Sequence, residues 1–192
     1  MASVIQTNRV LACEGLACPM PVVKTKKTIE EMNSGEVVEV RATDKGSVAD
    51  LQSWSKRTGH QYLGLREEDG VFRHFIRKSS DNETKPEVKF PHIASNEELS
   101  KKLESGENIK VLDVREPAEY TFQRIPGAIS VPLGELEQKM DGLNPDEEYY
   151  VVCRTGTRSD MACQVLAERG FAKVRNVVPG MSGWEGRTEQ DQ

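Results

Sequence analysis

The sequence predicts two domains in tandem: an α+β two-layer sandwich of order β-α-β-α-β-β, and then an α/β domain with a mainly parallel sheet. Three observations predict this arrangement. Short apolar runs alternate with segments that carry apolar residues every three or four positions, which is typical of strands alternating with helices. The first set of elements ends in two strands joined by Asp69-Gly70, a strong hairpin signal. A polar stretch separates that set from the second one.

The polar stretch defines the expected domain organisation. Residues 79–89 contain almost no apolar side chains, and we interpret them as a linker. The first domain then takes residues 1–78 and the second takes residues 90–192. A chain of 192 residues has room for two small domains, although length alone does not decide the number.

The composition narrows the classes of protein to consider. Hydrophobic residues make up 36% and charged residues 30%, as in a globular protein, and the net charge of −5 argues against nucleic acid as the main partner. No apolar stretch approaches the roughly 20 residues of a membrane helix. Residues 1–10 lack the apolar segment of a secretory signal. We therefore expect a cytoplasmic protein with no membrane partner and with reduced cysteines.

The first domain begins with a short apolar strand at 9–13 and a turn at 14–17. A helix is expected over 22–32, and prolines just before it suit a first helical turn. Cys18 stands at or just before this helix N-terminus, where the helix dipole is expected to lower a thiol pKa. The remaining elements are a strand at 36–42, a helix at 48–57, and strands at 59–65 and 71–76.

Two stretches of this domain carry a resemblance to a known family. They are Leu-Ala-Cys-Pro-Met-Pro at 16–21 and Asp-Lys-Gly-Ser-Val-Ala-Asp-Leu at 44–51. With them the first 80 residues or so resemble the small TusA/SirA-type sulfur carriers. The resemblance implies that Cys18 carries a persulfide sulfur and passes it on. The alternative is a helix-capping thiol packed in the core.

In the second domain, strands again alternate with helices. Ser95 or Asn96 caps a helix that starts with acidic residues, and a strand follows at 109–114. Further elements are a strand at 128–131, a helix at 133–140, a strand at 149–152, a helix at 161–167 and a strand at 174–178. The residues after 152 then lie at the carboxyl end of a parallel strand, where such folds bind ligands.

Those residues form the loop Cys153-Arg154-Thr155-Gly156-Thr157-Arg158, between a strand and a helix. Backbone N–H groups of the turn and of the helix N-terminus are expected to point at the Cys153 sulfur and favour its thiolate. We predict that Cys153 is a nucleophile. The substrate-binding residues are predicted to be the rest of the loop, Arg154, Thr155, Gly156, Thr157 and Arg158.

The second domain resembles a single-domain rhodanese over nearly its whole length. The matching stretches are 112–116, 119–120, 125–129, 153–159 and 180–184. Gln123-Arg124 and Pro179-Gly180 depart from the family pattern, and neither touches the nucleophile. The resemblance implies that Cys153 attacks the outer sulfur of thiosulfate and keeps it as a persulfide. Arg158, together with Arg154, would hold the sulfonate.

Asp113 and Arg115 are expected to support the loops rather than take part in chemistry, with Arg115 as an anion ligand left open. Cys13 and Cys163 are expected in the core. The spacing of the four cysteines fits no zinc template, so we expect neither a metal nor another cofactor. His60, His74 and His92 receive no role.

Two alternatives concern the loop itself. Cysteine phosphatases and arsenate reductases use Cys-x5-Arg, whereas this chain has Cys-x4-Arg, a smaller cradle that suits sulfur better than phosphate. The second alternative is that Cys153 is an inert buried thiol.

The sequence therefore predicts a sulfurtransferase. Sulfur from thiosulfate or a small persulfide passes to Cys153, and then to Cys18 or another acceptor thiol or sulfur-relay protein. The competing hypothesis is a regulatory module that binds a persulfide with little turnover.

Overall fold

The computed structural model describes residues 4–83 and 88–191. The chain divides into two compact units, Val4–Asp81 and the residues from Asn82 onward. Both predicted fold classes are confirmed. Residues 84–87 of the predicted linker lie outside the described residues, and the exact domain boundaries stay a prediction. Among the described helices, none is long and apolar enough to cross a membrane.

The first unit has the predicted order of elements. They are β1 (Arg9–Cys13), α1 (Met20–Glu30), β2 (Val37–Ala42), α2 (Gly46–Thr58), β3 (Gln61–Glu68) and β4 (Val71–Arg77). The sheet order is β1-β2-β4-β3, with β1 parallel to β2 and the other pairs antiparallel. Helix α1 begins two residues earlier than predicted, because Pro19 at the N-cap and Pro21 in the first turn both suit a helix start.

The core of this unit lies between the helices and the sheet. Val38 and Val40 of the central strand β2 are buried against Ile29 of α1 and Leu51 of α2. Cys13 at the end of β1 is buried in the same cluster, which confirms its predicted core position.

A buried histidine connects the two layers of this unit. His74 of β4 is fully buried, with its Nε2 3.0 Å from Ser47 Oγ of α2 and its Nδ1 2.8 Å from Tyr62 Oη of β3. Burial lowers the pKa of His74 from 6.5 to about 4. The imidazole is therefore neutral at pH 7, one ring nitrogen donating and the other accepting.

Because His74 is buried as a neutral imidazole, we predict that the first unit loses stability in acid. Between pH 6.5 and about 4 the unfolded chain binds a proton at His74 that the folded chain does not, so stability falls as the pH drops through that window. We expect a loss of up to about 3 kcal/mol from this group. Urea unfolding of a Trp184→Phe variant, in which Trp54 alone reports on the first unit, measures the pH dependence. Adding His74→Gln should flatten it, and an unchanged slope would contradict the assignment.

The second unit is an α/β fold with a five-stranded parallel sheet. Its elements are β5 (Ile93–Ser95), α3 (Asn96–Glu104), β6 (Lys110–Asp113), α4 (Pro117–Phe122), β7 (Ile129–Ser130), α5 (Leu136–Lys139), β8 (Tyr149–Val152), α6 (Thr157–Glu168) and β9 (Val174–Val178). The strand order is β5-β9-β8-β6-β7, and every pair is parallel. All four residues of the central strand β8 are buried, so the position where it ends is firmly held.

Two helices of this unit differ from the expectation. The helix predicted over 133–140 is divided into the 3-10 turn Leu133–Glu135, the four-residue α5 and the 3-10 turn Met140–Gly142. Gly134 weakens this segment as a helix, while Leu136 and Met140 keep the predicted apolar spacing and are buried. Helix α4 was not predicted, although Pro117 at its first turn and a capping box between Glu116 and Glu119 are helix-start signals.

Candidate functional site

Cys153 lies where the central strand of the second unit gives way to helix α6. Its side chain is buried, with 1% of the residue exposed. Gly156 caps α6 with φ at +96°, in the left-handed region that favours glycine. The Gly156 N–H donates to Cys153 Sγ at 3.1 Å. A helix N-terminus and an N–H donor aimed at one sulfur favour negative charge on that sulfur.

Two buried polar residues, Ser159 and Asn176, lie next to the Cys153 loop. Ser159 Oγ lies 3.2 Å from Cys153 Sγ and donates to Asn176 Oδ1 at 2.6 Å. Asn176 Nδ2 in turn donates to the Gly156 carbonyl at 3.1 Å. These contacts tie α6 and β9 to the cysteine loop. Sequence reasoning gave neither residue a role, although a buried asparagine inside an apolar strand is unusual enough to suggest one.

The segment after β9 closes over the backbone of the cysteine loop. Met181 N–H donates to the Cys153 carbonyl and Ser182 N–H donates to the Arg154 carbonyl, each at 2.8 Å. Gly180 adopts a positive φ of +86°, and a Cβ there would overlap the Cys153 carbonyl oxygen. The Asn96 side chain of α3 holds both the N–H and the carbonyl of Gly180. The loop is therefore fixed from both neighbouring elements.

The two arginines of the loop are paired with carboxylates. Arg158 donates through Nη1 and Nη2 to Glu119 of α4 at 2.7 and 3.0 Å. Burial opposes the charge of Arg158, but Glu119 outweighs that effect and the pKa of Arg158 is raised. Arg154 Nη1 donates to Glu83 at 3.1 Å. Sequence reasoning missed both carboxylates, and the sulfonate-binding roles of Arg154 and Arg158 stay predictions.

Of the other predicted binding residues, Thr157 has a notable environment. Its hydroxyl oxygen is buried and has no hydrogen-bond partner among the described residues. Thr157 opens helix α6, four residues after Cys153. Its hydrogen-bonding capacity is therefore not used by any other described residue. Thr155 is half-buried, and its proposed role stays a prediction.

Asp113 and Arg115 form a buried ion pair behind the loop region. Arg115 donates to Asp113 through Nε at 2.9 Å and Nη2 at 2.7 Å, and both residues are almost fully buried. Burial opposes the charge of Arg115, while Asp113 raises its pKa above the ordinary value. The Arg115 Nη2 also donates to the Gln123 carbonyl after α4. The supporting role of the two residues stays a prediction.

Cys18 has a different environment in the first unit. It is exposed, and its N–H donates to Asp44 Oδ2 at 2.9 Å. Its Sγ lies 2.6 Å from Asp50 Oδ2 of α2, to which the thiol donates. Sequence reasoning gave Asp50 no role. The sequence feature that could have indicated a role for Asp50 is its place six residues after Asp44, in the stretch that resembles the sulfur carriers.

The expectation of a lowered Cys18 pKa is wrong. The hydrogen bond to Asp50 raises the thiol pKa, and the charges of Asp50 and Asp44 act in the same direction. A donor hydrogen bond to a carboxylate stabilises the neutral thiol, and two negative charges oppose a third. Pro19 and Pro21 also remove two N–H groups from the N-terminus of α1, which weakens the site as an anion-binding end.

The remaining cysteine in the second unit is structural. Cys163 of α6 is fully buried, and burial raises its pKa. This confirms its predicted core position. The described residues contain no group of three or more His, Cys, Asp or Glu side chains that could hold a metal ion.

The Asp50 contact predicts how fast Cys18 reacts. Replacing Asp50 with Asn removes the charge that opposes the thiolate, so alkylation of Cys18 by iodoacetamide at pH 7 should become several-fold faster. Peptide mass spectrometry measures this rate at Cys18 alone. Asp69→Asn is the matched control, because asparagine tolerates the positive φ of that hairpin position. An Asp50→Asn rate no higher than that of Asp69→Asn would contradict the prediction.

Comparisons with known proteins agree with this two-part architecture. The family model "Sulfurtransferase TusA" matches residues 9–78, and the model "Rhodanese-like domain" matches residues 95–187. The "Putative sulfur carrier protein YrkF" of Bacillus subtilis is 48% identical over 94% of this chain and 97% of its own length. The "Putative sulfurtransferase YtwF" of the same organism is 42% identical over 47% of this chain and 87% of its own length.

A solved structure shows the same likeness for the second unit. The rhodanese-like domain protein of Staphylococcus aureus is 28% identical and covers 53% of this chain and 99% of its own, with a TM-score of 0.50. The chain thus carries a rhodanese-like domain that follows a TusA domain in the sequence, and both domains support a sulfurtransferase or sulfur-carrier function. The chain belongs to the family of sulfur-carrier proteins that join a TusA domain to a rhodanese-like domain.

Proposed function

We propose that Cys153 takes sulfane sulfur from thiosulfate or a small persulfide and that Cys18 carries it away. The observation that supports this most is the Gly156 N–H donating to Cys153 Sγ at 3.1 Å, at the N-terminus of α6. That arrangement stabilises a thiolate before the reaction and a persulfide anion after it. The unpartnered Thr157 hydroxyl adds a second donor at the same end of the helix.

The loading step is a displacement at sulfur. The Cys153 thiolate attacks the outer sulfur of the donor, an S–S bond forms, and the donor's own bond to that sulfur breaks. Thiosulfate releases sulfite, and a persulfide releases its thiolate, each leaving with the bonding electron pair. Cys153 is left as a persulfide, which a second thiolate attacks in the next half-reaction. No net oxidant is needed.

The carrier role of Cys18 is supported by its exposure. Cys153 is buried, whereas Cys18 lies at the surface, where the thiols of other proteins can reach it. The hydrogen bond from the Cys18 thiol to Asp50 must break before the sulfur can attack the outer sulfur of a persulfide. The final acceptor is then a thiol on a partner protein or a small molecule.

The first test separates the roles of the two cysteines. Loading with thiosulfate or glutathione persulfide, followed by transfer to cyanide, should be lost in Cys153→Ser and kept in Cys18→Ser. The expected loss is at least about a thousandfold, because serine at neutral pH is a far weaker nucleophile than a thiolate. Thiocyanate formation is the measurement. Full activity of Cys153→Ser would contradict the central assignment.

The second test concerns the relay. After loading with thiosulfate, peptide mass spectrometry should find one added sulfur atom on Cys18 in the native chain and none on Cys18 in Cys153→Ser. Mixing Cys153→Ser with Cys18→Ser chains shows whether transfer also occurs between molecules. Absence of sulfur on Cys18 in both experiments would contradict the relay while leaving the Cys153 chemistry intact.

A persulfide-binding regulatory module is the second candidate function. It is favoured by the pairing of Arg154 and Arg158 with carboxylates, which reduces the positive charge available for substrate capture. The thiocyanate measurement separates the two, because a regulatory module binds sulfur once and does not turn over.

A further inference from the structure

The positive charges of the two arginines in the cysteine loop are balanced by carboxylates, so the loop carries no excess of positive charge from them. Arg158 is matched by Glu119, whose side chain is fully buried, and Arg154 is matched by Glu83, whose side chain is 6% exposed. The sequence alone shows two arginines in the loop and gives no sign of these partners. A loop that attracts a doubly charged anion needs cations that are not already neutralised.

Glu83 is the less expected of the two partners. It stands in the short 3-10 turn Asp81–Glu83, outside the stretch 95–187 that matches the rhodanese-like family model. It nevertheless belongs to the same compact unit as the cysteine loop. Two backbone groups further along the chain, the N–H of Lys89 and of Phe90, donate to Asp160 of α6 at 2.8 and 2.7 Å. Glu83 therefore contacts the cysteine loop, and Lys89 and Phe90 contact helix α6, although all three precede the stretch that matches the family model.

The charge of Glu83 also acts beyond its ion pair. Together with Glu119 it contributes to raising the pKa of Arg158, so its field reaches both arginines. A carboxylate buried to this extent is held by its cation, and taking the cation away leaves an uncompensated buried charge. A dianion that binds Arg154 must therefore compete with Glu83 or sit close to it, and both are unfavourable.

We propose that Glu83 sets the sulfur-donor preference of Cys153, favouring small persulfides over the thiosulfate dianion. The inference rests on the proposed sulfur transfer at Cys153 and names its donor class. In a protonated persulfide, the transferable sulfur is attached to a carbon-bound sulfur, and the departing thiolate carries one negative charge at that sulfur atom. In thiosulfate it is attached to a sulfonate, and the departing sulfite carries two negative charges past Glu83. Glu83 thereby disfavours thiosulfate relative to a persulfide, because its negative charge repels the departing sulfite.

The test compares two donors on matched variants. In a Cys18→Ser background, the efficiency of Cys153 loading is measured with thiosulfate and with glutathione persulfide by the added mass of one sulfur atom. Glu83→Gln keeps the size and hydrogen-bonding ability of the side chain and removes its charge. Glu107→Gln is the control, because it removes a carboxylate paired with Lys102 at the opposite, amino end of the parallel strands.

We expect Glu83→Gln to raise the loading efficiency with thiosulfate about tenfold, equivalent to about 1.4 kcal/mol. Loading with glutathione persulfide should change by less than about twofold, and Glu107→Gln should alter neither. Adding Arg154→Gln to Glu83→Gln should abolish the gain, because the gain depends on the released arginine.

Three outcomes overturn the proposal. An equal effect on both donors shows that Glu83 acts on the loop as a whole, and no effect on either shows that it does not act on transfer. If Glu83→Gln still raises loading with thiosulfate when Arg154 is also replaced, the gain does not depend on Arg154 and the proposed mechanism is wrong. If neither donor loads Cys153 in the Cys18→Ser background, with or without Glu83→Gln, the proposed function itself fails and this inference with it, so the two failures are distinguishable.

Discussion

The hydrogen bond from the Gly156 N–H to the Cys153 sulfur depends on how the chain leaves the central strand of the second unit. Strand β8 is buried along its length, which fixes the point from which Cys153 emerges. Gly156, in the left-handed conformation, then turns the backbone so that its own N–H points at the sulfur where α6 begins. Asn176 from β9 and the backbone of residues 181 and 182 hold the loop in place.

Cys153 and Cys18 have opposite surroundings. Cys153 is buried, and its sulfur accepts a hydrogen bond from the Gly156 N–H. Cys18 is exposed and donates a hydrogen bond, so its sulfur is stabilised as a neutral thiol.

Local sequence predicted most of the fold and the loop in which Cys153 lies. The order of strands and helices apart from β5 and α4, the hairpin at Asp69-Gly70 and the Cys153 loop at a strand end follow from apolar periodicity and turn residues. The charge partners could not be predicted, because Glu83 and Glu119 precede the arginines they bind by 71 and 39 residues. Asp50 lies 32 residues from Cys18 and reverses the effect expected of a helix N-terminus.

The hydrogen bond between Cys18 and Asp50 has a consequence for the lifetime of the protein. Peroxides oxidise thiolates far faster than thiols, and an exposed thiolate would soon become a sulfenic or sulfinic acid. The hydrogen bond to Asp50 favours the protonated form of the exposed sulfur. Cys18 is therefore less open to oxidation than a thiolate at the same surface position would be.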